Sequence, residues 1–583
     1  MATNLSSAAA ERGRGRYSAA WASCFTAFAG SASVTAMRRG LAGLTLAMSV
    51  VWGIRAWIGC PPIGYALQDS IFALIIPERI VQGQMPVRDY SGACLILSSL
   101  PGAAGILLTG CRGLAITVGY LIAAPAFVAA AWQLARVRFS AFMAAILTLM
   151  VGVMTVATNA PGGLRGTYAM HYNRLGWVLF TLVALQAFVP PRQRPSGRRA
   201  TWEALLSGAC TAALLFLKLN YFAAAGLTLA IGLALFRHVR QGLGGAILGF
   251  ALVLATILAF LHFNAAGFVD DLVVMSKIVG GRKLLVMLIQ MLPETLPWVA
   301  LAAISFLAII GPVVRQATAE RRLTDNVRMT LAAMILLPAG ILTCSMNHQH
   351  LGIPSIALAA VVLSEVGLRT EPLAGQTSNA WAGSRICVCF LVAVVSFAPT
   401  LGLDMFAMGL ACKQRVFDVP SAPGRARFES AALADFVCLP QVGEPLEAEE
   451  VFRKIREGND GRLGPTSYQY AVILNDGLDL LSPHVRTRDR VLCFDQVNPF
   501  PLAFGLEYIP GEYLWCEIHS DMEGLPCPLP EQVLHKATLV MEPKCPLFPA
   551  TVDYLMSIHE LTLRKEFENV AQSRFWTLWR RRH

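Results

Sequence analysis

Runs of about 20 apolar residues, the length a helix needs to cross the hydrocarbon of a bilayer, recur between positions 40 and 401, with short clusters of charge between them. Lipid offers no water to satisfy backbone N–H and C=O groups. Only helices or closed barrels can therefore span it, and runs this long and continuous are helices. The pattern predicts crossings at 40–58, 113–134, 139–157, 174–189, 202–217, 222–236, 244–262, 296–314, 328–344, 350–365 and 384–401. A further apolar run, 93–109, is weakly hydrophobic and contains Pro101-Gly102. Of the residues, 55% are hydrophobic and 15% charged, where soluble globular chains carry about a quarter charged residues. This excludes a water-soluble enzyme. Charge becomes dense only after position 412. The expected organisation is a basic tail at 1–39, a transmembrane domain at 40–411 and a soluble domain at 412–583.

Basic clusters set the orientation. Arg192, Arg194, Arg198 and Arg199 share one connection, Arg237, His238 and Arg240 a second, and Arg315, Arg321, Arg322 and Arg328 a third. The positive-inside rule places these in the cytoplasm, together with Arg12, Arg14, Arg16, Arg38 and Arg39 of the tail. No signal-peptide pattern precedes the first run. The connections 59–92, 158–173, 218–221, 263–295 and 345–350 then lie outside, as does the C-terminal domain. Arg136-Val137-Arg138 belongs inside, so an odd number of crossings separates it from 59–92. The run 93–109 is accordingly expected to be re-entrant or interfacial, leaving eleven full crossings.

The first external loop, 59–92, carries an amphipathic stretch too short to span and suited to the membrane interface. Asp69 stands at its start and Asp89 at its end, with Glu78 and Arg79 between them read as ordinary solvated charges. The order Asp69, Gly83, Pro86, Asp89, Tyr90, following the first apolar run, resembles the first external loop of the GT-C glycosyltransferases. Those are multi-spanning enzymes that use polyprenyl-phosphate-linked sugars. Asp89-Tyr90 stands where relatives often have Tyr before Asp, and Ser70 follows Asp69 where a doubled Asp-Glu is usual. The likeness covers topology over about 400 residues and motif over about 25.

The resemblance implies a transferase whose external carboxylate takes the proton of an acceptor hydroxyl. Cations would hold the departing lipid phosphate, and the anomeric centre would invert. Asp69 is the expected base and Asp89 a supporting or acceptor-orienting acid. Arg165, His171, Tyr172, Asn173 and Arg174 just outside one span, and Lys218, Asn220 and Tyr221 at another external turn, are the expected substrate contacts. For Lys218, snorkelling to the interface is an equal reading. His348 and His350 lie at a further external end. Their i, i+2 spacing does not share a helical face, so polar substrate contact or plain interface residues are expected rather than a metal site. No metal ligands are assigned, and whether a divalent cation assists stays open. In 263–295, the charges Asp270, Asp271, Lys277, Arg282, Lys283 and Glu294 read as the solvated face of a helix lying on the bilayer.

The soluble domain is expected to be mixed α/β. Short buried strands are predicted at Tyr470–Leu474 and Arg490–Phe494, helices near 446–457 and 550–572, and turns at Asn475-Asp476-Gly477 and Asn498-Pro499. The stretch Asp495–Phe500 reads as turn chemistry ahead of a carbohydrate-facing loop. Tyr513, Trp515 and His519 form an aromatic patch that suits either sugar stacking or core packing. Cys412, Cys438, Cys493, Cys516, Cys527 and Cys545 would be free to pair in an oxidising compartment, with Cys516 and Cys527 the first pair to test. The basic tail Arg580–His583 reads as a solvated end.

No glycine loop in a strand–helix setting is present, which argues against a nucleotide-sugar or ATP site, and nothing points to nucleic acid. A lipid bilayer, a polyprenyl-phosphate sugar and a glycan, lipid or protein acceptor are the expected partners, in the bacterial inner (plasma) membrane. The alternative is a transporter or flippase of a lipid-linked or polar substrate. Such proteins place charge at mid-membrane, whereas here the spans are nearly free of it. A scaffold anchoring an external module ranks last, because eleven spans exceed what an anchor requires.

Overall fold

The computed structural model describes residues 34–58, 67–90, 96–157, 168, 171–193, 197–280, 284–320, 324–345, 354–369, 387–395, 467–512 and 530–582. The first part is helical: α1 (Val34–Ile58), α2 (Leu67–Val81), α3 (Ile96–Thr109), α4 (Ala115–Ala135), α5 (Ala141–Val156), α6 (His171–Phe188), α7 (Gly197–Leu215) and α8 (Leu219–Leu235) come first. There follow α9 (Arg237–Gln241), α10 (Leu243–Phe260), α11 (Ala265–Gly280), α12 (Leu284–Glu320), α13 (Asp325–Ser345) and α14 (Pro354–Arg369). Each of the eleven apolar runs coincides with helical residues, the last with 387–395. Among the described residues, Ala115–Ala135, Leu243–Phe260 and Val299–Glu320 are long and apolar enough to cross a membrane. Exposed Leu46, Leu107, Leu227, Leu252 and Leu307 cover the bundle's outside. A surface of this kind suits hydrocarbon, and the chain is an integral membrane protein.

Glycine sets the closest helix contacts. A Cβ on Gly105 would sit 1.9 Å from the Ala115 carbonyl oxygen, and one on Gly119 1.8 Å from that of Pro101. The two glycines therefore let α3 lie backbone to backbone along the first turns of α4. Gly102 in turn receives Pro77 of α2, whose ring lies 2.8 Å from the missing Cβ. Both flanks of α3 sit at one end of the bundle, since Tyr90 lies under Arg79 and Arg112 bonds to Glu78.

The connection 263–295 holds α11 and the start of α12, and α12 runs from Leu284 into the predicted span without a break.

The C-terminal part contains α15 (Ser467–Leu481), β1 (Val491–Cys493), α16 (Phe500–Phe504), α17 (Pro530–Val533), β2 (Leu539–Pro543), α18 (Pro549–Glu566), β3 (Phe567–Gln572) and β4 (Trp576–Arg581). They form a four-stranded mixed sheet in the order β1-β2-β4-β3, parallel between β1 and β2 and antiparallel elsewhere. Tyr470–Leu474 is helix, not strand. A short apolar run does not distinguish the two, and here buried Tyr470, Ala471, Ile473 and Leu474 are drawn into the core from one helical stretch. Asn475-Asp476-Gly477 continues that helix rather than turning. Asp476 accepts the Phe575 N–H. Gly477 leaves room for Trp576, whose Nε1 donates to the Ile473 carbonyl at 2.7 Å. Strand β1 lies inside the predicted 490–494, and the predicted helix at 550–572 stops at Glu566 and becomes β3. Arg580 and Arg581 are not a loose end: both belong to β4, and Arg581 pairs with Glu566 at 2.7 Å. Cys493 and Cys545 are free, buried thiols, while Cys412, Cys438, Cys516, Cys527, Tyr513, Trp515, His519 and 446–457 lie outside the described residues.

Candidate functional site

The two ends of the helix bundle carry different chemistry. At one, here the basic end, Arg138 and Arg199 converge on Glu203 at 2.7 and 3.0 Å, and Arg192 and Arg369 converge on Glu365 at 2.7 and 2.9 Å. The Arg369 guanidinium also reaches the Pro190 carbonyl, and the ring of His238 meets that of Gln186. These bonds tie together the connections that the sequence placed in the cytoplasm.

The opposite end gathers most of the described candidate residues. Arg55, in the last turn of α1, is 2% exposed. Its Nη2 donates to the Thr117 hydroxyl at 2.8 Å, while Nε and Nη1 have no hydrogen-bond partner. Thr117 also meets the Tyr168 hydroxyl at 3.2 Å. The Tyr168 N–H donates to the Ser70 hydroxyl at 3.0 Å, which fixes the first turn of α2, where Asp69 stands half-buried.

The start of α6 supplies His171, Tyr172, Asn173 and Arg174 within one turn. The imidazole lies edge-on to Tyr120, with ring centroids 4.1 Å apart. Arg174 and Arg55 are both near enough for their charges to act on it. Neither ring nitrogen of His171 has a hydrogen-bond partner, nor does the Asn173 side-chain nitrogen, although both residues are buried. Lys218, just before α8, donates to the Asn173 side-chain oxygen at 3.5 Å and lies 4.9 Å from the centre of the Tyr172 ring. The chain bends there because Phe216-Leu217 turn after α7 while Lys218 is extended ahead of α8. Asn220 holds this bend: its side-chain oxygen accepts the Tyr221 N–H, and its amide donates to the Thr343 carbonyl. Tyr221 is fully buried, edge-on to Trp177 and over Gly176.

Asp89 stands apart from this cluster, in the turn that follows α2. Its carboxylate accepts the Met85 N–H at 2.7 Å and is gripped by Arg88 at 3.0 and 2.6 Å. The Arg88 hydrogen bond holds its pKa below the ordinary carboxylate range. It is thus a carboxylate of weak proton affinity, suited to shaping a turn. Val87 in the same turn has φ of +71°, a strained conformation for a β-branched residue.

Glu78 and Arg79 are not solvated charges; they are 3% and 1% exposed. Glu78 takes a bidentate contact from Arg112 at 2.9 and 2.7 Å. Arg79 pairs with Glu512 of the C-terminal part at 2.6 Å. Asp495 and Asn498 are likewise internal. Asp495 accepts the Gln496 and Leu547 N–H groups, and burial pushes its carboxyl up to about 6. Asn498 donates to Val491 O and Glu512.

Arg165, His348, His350, Arg282 and Lys283 lie outside the described residues. Among those described, no group of three or more His, Cys, Asp and Glu side chains is placed to hold a metal. Arg55, Thr117, Tyr120 and Tyr168 are members of the site that the sequence reading missed. The signal for Arg55 was present, as the one charge near the C-terminal end of the first apolar run.

No family model matches the chain, and no curated protein sequence matches it significantly. Among solved structures, the chain is similar over 92% of its length to the crystal structure of ArnT from Cupriavidus metallidurans bound to undecaprenyl phosphate. That match has 13% identity, 97% of that chain covered and a TM-score of 0.45. The apo state of the same protein gives 12% identity, 92% and 98% coverage and a TM-score of 0.44. The Archaeoglobus fulgidus oligosaccharyltransferase in complex with Zn and sulfate gives 11% identity, 85% and 68% coverage and a TM-score of 0.31. These are loose likenesses of overall shape, and the site rests on this chain's own residues.

Proposed function

We propose that this chain is a membrane glycosyltransferase that moves a sugar from a polyprenyl phosphate to a glycan, lipid or protein acceptor outside the cytoplasm. One observation carries the reading. At a single end of the bundle Arg55, Arg174 and Lys218 surround buried His171 and Asn173, and the turn that bears Asp69 is tied to the same cluster through Ser70 and Tyr168. A buried arginine with unused donors, Arg55, with two further cations beside it at a membrane surface, suits a lipid phosphate, whose headgroup reaches that depth while its chain stays in hydrocarbon.

In this mechanism Asp69 takes the proton of the acceptor hydroxyl as its oxygen attacks the anomeric carbon. The bond from that carbon to the phosphate oxygen breaks, with inversion. The negative charge left on the polyprenyl phosphate is met by Arg55, Arg174 and Lys218. Orientation follows the positive-inside rule, with Arg136, Arg138, Arg192, Arg199, Arg237 and Arg240 in the cytoplasm and the site and sheet domain outside. Eleven full crossings fit this reading, with α3 re-entrant or interfacial because its two flanks lie at the same end.

The test is transfer by purified protein from radiolabelled polyprenyl-phosphate sugars, wild type against Asp69→Asn. Transfer by the wild type, with a loss of about 100-fold or more in the variant, is expected of a positioned base. Undiminished transfer by the variant removes Asp69 from the mechanism. No transfer from any such donor, by folded protein that binds lipid phosphate, moves the function to transport.

A further inference from the structure

Helix α2 carries Asp69 in its first turn and Arg79 in its last. At a rise of about 1.5 Å per residue the two are about 15 Å apart along one axis. At the Arg79 end the bundle holds Glu78 through Arg112, and the C-terminal part holds Arg79. Nη2 of Arg79 meets Glu512 at 2.6 Å, and Nη1 donates to the Ile509 carbonyl at 3.3 Å and to Gln84 at 2.9 Å. The guanidinium lies 4.4 Å from the centre of the Tyr508 ring. Gln82 and Gln84 donate to the Leu506 and Tyr508 carbonyls at 3.0 and 2.7 Å, and the Gly511 N–H donates to the Asp89 carbonyl. Glu512 is itself oriented from behind by the Asn498 amide at 2.8 Å, and that amide is anchored on the Val491 carbonyl of β1.

From these contacts we infer that Glu512 is a positioning residue for the transfer reaction: through Arg79 it seats α2 so that Asp69 faces the acceptor. The inference rests on the glycosyltransferase reading and adds to it a role for the soluble domain. Four contacts fix the helix, one of them the Arg112–Glu78 pair already described. Ser70 is tied to Tyr168, Pro77 packs into the gap at Gly102, and Arg79 locks to Glu512. Of these four, the Ser70, Pro77 and Glu78 contacts lie within the bundle, and the Arg79 contact comes from outside it. That last contact is also selective. Arg55, Arg174 and Lys218 stand on α1, α6 and the turn before α8, none of which the latch touches. Loosening it therefore shifts the base and leaves the phosphate cations in place. Both terminal nitrogens of the Arg79 guanidinium are engaged, and breaking a buried charge pair from one side leaves an uncompensated charge, so the contact resists partial loosening.

The experiment uses full-length protein in nanodiscs and compares wild type with Glu512→Gln and with the milder Gln84→Ala. Three quantities are read: kcat and KM for transfer, affinity for undecaprenyl phosphate alone, and amide hydrogen exchange across 67–81. For Glu512→Gln the expected result is a fall in kcat of about tenfold or more and exchange in α2 about tenfold faster, with phosphate affinity within about twofold of wild type. Gln84→Ala shows the same pattern at smaller size, and Glu512→Asp restores part of the rate. Exchange in α2 that matches wild type, or a kcat per folded molecule that does not change, overturns the inference. If the wild type itself transfers nothing, the glycosyltransferase reading fails and the positioning role with it. Exchange then still reports whether Glu512 holds α2, so the two failures are told apart.

Discussion

At the basic end of the bundle, arginines share glutamates: Arg138 and Arg199 meet on Glu203, Arg192 and Arg369 on Glu365. At the site end Arg55 is as deeply buried as Arg138, yet one threonine hydroxyl takes one of its five N–H donors and two of its nitrogens have none. The first arrangement is complete in itself and joins helices. The second keeps a cation in reserve at a desolvation cost that structure alone does not repay. What separates a structural charge from a binding charge here is whether the fold supplies the anion, and that difference can be broken experimentally.

The largest expected effect is at the basic end. Glu365→Ala leaves Arg369 and Arg192 without their shared anion and frees the Ser140 N–H that Glu365 also accepts. It should cost about 3 kcal/mol, the lower range for a broken buried pair because Arg192 is a quarter exposed. Thermal unfolding in detergent reads this loss, and affinity for undecaprenyl phosphate in the folded fraction should stay as in wild type. Arg55→Met should do the reverse. Phosphate affinity falls about 10- to 100-fold, the worth of a charge-assisted bond, while thermal stability is unchanged or rises. A loss of stability in Arg55→Met without loss of phosphate affinity would erase the contrast between the two ends.

A smaller effect belongs to the soluble domain. Burial raises the Asp495 carboxyl to about 6, so the folded state holds that proton more tightly than the unfolded chain does. Its contribution is present below about pH 4 and is lost as pH rises through about 6, at most about 3 kcal/mol. Asp495→Asn keeps a side-chain oxygen for the Gln496 and Leu547 N–H groups and removes the charge. The variant should melt higher than wild type at pH 7.5 and lose the decline between pH 4 and 6.5. An unchanged slope would place the titration elsewhere.

Much of this was legible in the sequence, for a physical reason. The bilayer imposes one length on every crossing, so apolar runs report helices whatever their neighbours. His171, Asn173, Arg174, Lys218 and Asn220 were visible because polar groups at the end of an apolar run stand out, and the structure brings them to one end of the bundle. Glu78 and Arg79 were misread as solvated because the partner that buries Arg79 lies 433 positions away, beyond any local pattern. Arg580 and Arg581 misled in the same way: a basic run looks solvated until its register against β2 and β3 is known. The helix at Tyr470–Leu474 was hidden by the ambiguity of five apolar residues, which only the Trp576 ring above Gly477 resolves.

The distance in sequence between Arg79 and Glu512 also sets an order of events. A chain growing at about 5–20 residues per second completes the α2 segment on the order of a minute before Glu512 exists. During that interval Arg79 has no carboxylate from the sheet domain, and the helix bearing Asp69 lacks its outer pin. The membrane part can thus be inserted and packed before the sheet domain exists. On the positioning role inferred for Glu512, a product truncated before the sheet would sit in the membrane intact in outline and without the contact that seats Asp69.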